Sequence, residues 1–128
     1  MATNIIKINR GDSFEFKTTI PSKEDYTKNY ILTPKDALFF AILNPHQNIE
    51  DAIILKGLRG GFGDPDINNE SGEITIRLTP KETKQLVPGI YYYTTKLQCG
   101  GSLEDFGYLE EPTEVRTIIE RTKFIVNE

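Results

Sequence analysis

In 128 residues the chain has one cysteine, one histidine, one methionine and no tryptophan. Each scarcity removes a class of chemistry. A lone Cys99 forbids an intramolecular disulfide, which agrees with synthesis and folding in a reducing cytoplasm. A lone His46, next to Pro45 in a turn-forming context, leaves no base beside a Ser, Thr or Cys nucleophile, and its plain reading is a surface residue. Net charge is -4 with a pI near 5.1. No Lys/Arg cluster of the kind that neutralises phosphates occurs, so nucleic acid is not an expected partner. The longest apolar run, Ala37 to Leu43, is far short of the roughly 20 residues that span a bilayer, and the opening MATNIIKINRGDSF lacks the apolar core and cleavage site of a secretory signal. Neither membrane insertion nor secretion is expected.

What the chain does have is β-forming material. Six Tyr and seven Phe, with many Ile, Val and Thr, suit a pleated and half-buried surface. Hydrophobic residues make up 38% and charged residues 27%, an ordinary globular balance. The length matches one domain, 1–128, able to bury roughly two-thirds of its unfolded surface.

The stretch GEITIRLTPKETKQLVPGIYYYTTKLQC, from Gly72 to Cys99, organises the rest. Glu73 to Thr79 alternates strictly, with Ile74, Ile76 and Leu78 inward. Thr79 then caps a helical turn, with Pro80 at its first position and Glu82 three residues past the cap to complete a capping box. Leu86 anchors that turn before Pro88-Gly89 redirect the chain into a strand with Tyr91, Tyr93, Thr95 and Leu97 on one face. Upstream, Asn4 to Arg10 reads as a strand and Gly11-Asp12 as an ordinary hairpin turn, so the integrin-type tripeptide Arg10-Gly11-Asp12 has a purely structural reading. Phe14, Phe16, Thr18 and Ile20 share one face of the next strand, which Pro21 ends.

Residues 21–36 form a long polar connection carrying Tyr26 and Tyr30. Ala37 to Asn44 is apolar on both parities, which makes it a central strand or one whose second face is covered by the preceding loop or another subunit. A further strand is expected over Ile49 to Leu58, then a surface loop over 59–72 containing Phe62. After Gly100-Gly101 comes an acidic, partly aromatic excursion. The last strand region, Thr113 to Asn127, shifts its apolar phase from Val115 and Ile119 to Phe124 and Val126, predicting a β-bulge near Glu120 to Thr122. About seven strands and one short helical turn fit an all-β, Greek-key β-sandwich.

Leu86-x-Pro88-Gly89-x-Tyr91 resembles the tyrosine corner of immunoglobulin-like sandwiches. Together with GDSFEF near the start and EVRTIIERTKFIV at the end, the chain resembles the small immunoglobulin-like structural proteins of tailed bacteriophages, among them upper-baseplate N-terminal domains and neck, head-fibre or decoration components. That resemblance implies an immunoglobulin-like fold and a virion location after synthesis in the host bacterial cytoplasm. It also implies work through contacts with other virion proteins, as a homo-oligomer or symmetric array, with no enzymatic activity and no cofactor.

Candidate contact residues are the large apolar groups on long loops: Phe106, Tyr108 and Leu109 in the 101–112 excursion, Tyr26 and Tyr30 in the first loop, and Phe62. The excursion either makes protein contacts or folds back over the sandwich edge. A second reading is a carbohydrate-binding module that stacks a glycan on Tyr26, Tyr30, Phe106 or Tyr108. Asp64-x-Asp66-x-Asn68 imitates the start of a calcium loop, but Asn69 and Thr75 stand where an EF-hand needs Gly and Glu, and a solvated turn is the simpler reading. Glu104-Asp105 and Glu110-Glu111 would need a cleft to do acid-base work. No catalytic or metal-ligating set is assigned.

Overall fold

Branched and aromatic residues alternating with polar ones build nearly every strand of the computed structural model, which describes residues 5–25, 27–60, 65–99, 102–103, 109–110 and 114–128. The described strands are β1 (Ile6–Asn9), β2 (Phe14–Thr18), β3 (Asp36–Leu43), β4 (Ile54–Arg59), β5 (Ile74–Leu78), β6 (Gly89–Cys99), β7 (Ser102–Leu103), β8 (Leu109–Glu110) and β9 (Glu114–Asn127). One helix, α1 (Pro80–Lys84), and a 3-10 turn at Ile49–Asp51 accompany them. The protein is all-β. A five-stranded sheet has the order β1-β9-β6-β3-β4, β2 pairs with β5 in a second sheet, and β7 pairs with β8 in a third.

Inward positions of the first two sheets meet in one core. Phe40, Ile42, Tyr93, Phe124 and Val126 from the larger sheet pack with Ile76 and Leu78 of β5, and with Phe14 and Phe16 of β2. The Phe14 ring meets Phe124 edge-on with centroids 5.8 Å apart, and Phe16 stands 6.0 Å from Tyr93. Toward the Cys99 end of β6, Ile20, Leu32, Leu38, Ile67, Ile74 and Leu97 form a second cluster.

Gly11-Asp12 does not close a hairpin. β1 runs parallel to β9, Ile6 opposite Phe124, whereas β2 pairs antiparallel with β5, Phe14 opposite Leu78, so the turn carries the chain from one sheet to the other. Gly11 adopts φ 89, a conformation that glycine enters without cost. The buried Thr83 hydroxyl accepts the Gly11 N–H at 3.1 Å and donates to the Asp12 carbonyl at 2.9 Å, while Arg10 Nε donates to the Lys84 carbonyl. Helix α1 therefore clamps the crossing. The helix is capped as its sequence requires: Thr79 Oγ1 accepts the Glu82 N–H, and the Glu82 carboxylate accepts the Thr79 N–H at 2.9 Å.

Every residue of β3 is buried. The strand is internal, between β4 and β6. Its even residues face the core, and on the other face Ala37 and Phe39 are covered by Ile49 and Leu55. The cover thus comes from the segment that follows β3, not from the loop before it. This corrects the strand expected over 49–58: Ile49 is drawn into a 3-10 turn over Phe39, and β4 begins only at Ile54.

The register between β6 and β9 slips twice, between Tyr93 and Thr95 and again between Thr95 and Lys96, so Thr122 to Thr117 lies opposite Tyr93 to Lys96. One slip was anticipated. The second adds another residue to β9 and restores the original parity beyond it, which turns Val115 outward, 51% exposed, instead of inward.

Candidate functional site

Tyr30 enters through a closed loop. A bridge joins Pro21 to Asn29, the Asn29 side chain donates to the Ser71 carbonyl at 2.9 Å, and the Tyr30 N–H donates to the Ile20 carbonyl. This brings the phenol to the carboxylate of Asp36, a residue 3% exposed at the start of β3. Tyr30 donates to it at 2.5 Å, and Thr33 donates its N–H at 2.8 Å and its hydroxyl at 3.0 Å. Cys99 faces Asp36 across the β3–β6 register.

Burial first, and then the Asp36 carboxylate, push the Tyr30 phenol far above its ordinary range. The same two causes raise the Cys99 thiol, with Arg116 opposing. A thiol held protonated is a poor nucleophile, and Cys99 packs as a small hydrophobe against the second core cluster. Arg116 donates to the Pro21 carbonyl and Lys23 pairs with Glu114. Tyr30, Cys99, Glu114 and Arg116 line a cleft of about 240 Å³ at this end of the molecule. Beyond it β7 and β8 pair, Leu103 opposite Leu109.

Of the candidate contact residues, Tyr30 is half-buried with its hydroxyl engaged, and Leu109 lies in β8. Tyr26, Phe62, Phe106 and Tyr108 lie outside the described residues, as do Glu104, Asp105 and Glu111. Leu86 is fully buried, and the Tyr91 hydroxyl donates to the Val87 carbonyl at 2.6 Å, the upstream backbone tie that defines a tyrosine corner, with Pro88 and Gly89 making the bend.

The remaining motifs have structural work. Asp66 accepts from Arg77 Nε at 2.7 Å, and Asn68 Oδ1 accepts the N–H groups of Glu70 and Ser71 in a tight turn, while Asp64 lies outside the described residues. His46, at φ 70, lines a hollow with Pro45, Tyr92 and Arg121. Among the described residues no group of three or more His, Cys, Asp or Glu is placed to hold a metal ion.

Reading the loops overlooked the outer face of the large sheet. There Asn48, Thr94, Lys96, Thr117 and Arg121 line a hollow of about 390 Å³ beside the 3-10 turn. The available signal was parity alone: Tyr92, Thr94 and Lys96 are the outward positions of β6. No known protein family and no curated protein matches the chain.

Proposed function

We propose that this protein is an immunoglobulin-like Greek-key sandwich serving as a structural component of a tailed-bacteriophage virion, where it assembles through protein contacts and anchors or presents a fibre. The observation that carries the reading is the Tyr91 corner, because it falls inside the stretch that carries the phage resemblance. The strand order supports it as well. In this reading β9, β6 and β3 would correspond to the G, F and C strands of an immunoglobulin sandwich, β4 to C′, and β2 with β5 to B and E.

In this reading the sandwich is a rigid holder, and contacts with neighbours lie at the Cys99 end, where the Tyr30 cleft opens and β6 leads into β7. Mass spectrometry of purified virions is expected to find the protein in a fixed ratio to the major structural proteins. Virions that lack it would overturn the proposal.

A further inference from the structure

We infer that the outer face of the five-stranded sheet holds a binding site for a sugar acid, a pyranose carrying one carboxylate. Two hollows meet there at Arg121. One, of about 390 Å³, is lined by polar groups that include Asn48, Lys96, Thr117 and Glu120; the other, of about 250 Å³, is lined by Pro45, His46 and Tyr92. Lys123 faces Tyr92 across the β6–β9 register and adds positive charge at the rim.

The groups in these hollows are largely unspent. Arg121 uses one guanidinium nitrogen on the Gln47 carbonyl, which ties the 44–48 turn to β9. Among the described residues neither Lys96, Glu120 nor Arg121 is in an ion pair, whereas five other pairs in the protein are formed. Thr94 has given its hydroxyl to the Ile119 carbonyl, but the side chains of Asn48, Lys96 and Thr117 form no such bond among the described residues. Tyr92 is half-buried and stacks on no other ring among them.

These groups select one chemistry. Lys96 and Arg121 match a single carboxylate by charge-assisted hydrogen bonds. Glu120 accepts hydrogen bonds from sugar hydroxyls and repels a second negative charge, which disfavours phosphates and polyanions. Tyr92 and Pro45 offer an apolar surface to the C–H face of a sugar ring. The double slip in β9 brings Thr117 opposite Lys96, and Glu120 and Arg121 line the same hollow. It stands apart from the loop aromatics of the carbohydrate reading and does not depend on a virion role.

The test is titration of the full-chain protein with methyl β-D-glucuronide and methyl α-D-galacturonide, followed by amide NMR shifts. At least one is expected to give saturable shifts centred on Tyr92, Lys96, Thr117 and Arg121, with Kd on the order of 1 mM. The matching neutral glycoside, which has CH2OH in place of the carboxylate, is expected to bind about tenfold more weakly, as are the Lys96→Gln and Arg121→Gln variants, whose spectra stay dispersed. Three results would overturn the inference: no saturable shift with either acid, equal binding of the neutral glycoside, or the same shifts from sodium acetate alone.

Discussion

Tyr91 is 9% exposed, and among the described residues its hydroxyl has one partner, the Val87 carbonyl. Removing the hydroxyl while keeping the ring isolates the corner: Tyr91→Phe is expected to cost about 1 kcal/mol, read as a lower urea midpoint at unchanged slope. Gly60 is constrained differently. A Cβ there would lie 2.5 Å from the Leu32 carbonyl carbon and 2.6 Å from Leu32 Cβ, and the Gly60 N–H donates to the Asp36 carbonyl. Because the obstruction is largely backbone, no rotamer relieves it. Gly60→Ala is expected to destabilise by about 1–3 kcal/mol in the same urea assay. Gly89→Ala is the control, since its nearest obstacle is 3.9 Å away and its φ is not positive. Gly89 matters to the Pro-Gly corner less than its place in the motif suggests.

Helix α1 is short, so its stability comes from its ends and attachments. Glu82 serves both. It completes the capping box and reaches Lys56 of β4 at 2.6 Å. Partial burial pushes its carboxyl up, but hydrogen bonds from Lys56 and the Thr79 N–H outweigh that and hold it below the ordinary 4.5. A depressed folded-state value means that the stabilisation is complete above the unfolded value and fades as pH falls through the folded one. Solvent screening keeps the ion-pair part small. Wild type is expected to exceed Glu82→Gln by about 0.5–1 kcal/mol at neutral pH, and the gap is expected to close as pH falls below the ordinary carboxylate range, as measured by denaturant midpoints. An unchanged gap at low pH would show that the carboxylate charge contributes nothing.

Elements differed in how plainly their sequences announced them. The α1 cap and the β5 alternation were legible because their determinants are local: Thr79, Pro80 and Glu82 lie within one turn, and Ile74, Ile76 and Leu78 share one face. The parallel partner of β1 was not, because Ile6 meets Phe124 across nearly the whole chain and no local pattern records that pairing. Ile49 misled for a related reason. Its apolar side chain fits a strand equally well, and only Phe39 on the outer face of β3 draws it into a turn. Tyr30 was legible as a candidate but not its tie to Asp36. The outer-face hollow went unread because Thr117 comes opposite Lys96 only through the two register slips.

At the scale of the whole molecule, the excursion between β6 and β9 can be tested as a unit separate from the large sheet. Cys99 and Glu114 are direct partners at the end of the β6–β9 ladder, so the chain leaves and re-enters the large sheet at one place. Replacing residues 100–113 with Asn-Gly asks only that two facing strand ends be joined by a two-residue turn. Shortening the connection lowers its closure entropy by roughly 1–2 kcal/mol, which offsets the lost β7–β8 pairing. The variant is therefore expected to unfold cooperatively, with a stability within about 2 kcal/mol of wild type. If the proposed virion role holds and the Cys99 end is the contact face, the same variant is expected to fail to enter virions when it replaces the wild-type protein. Normal incorporation would move the contact face elsewhere on the protein, and loss of cooperative folding would show that the excursion belongs to the core.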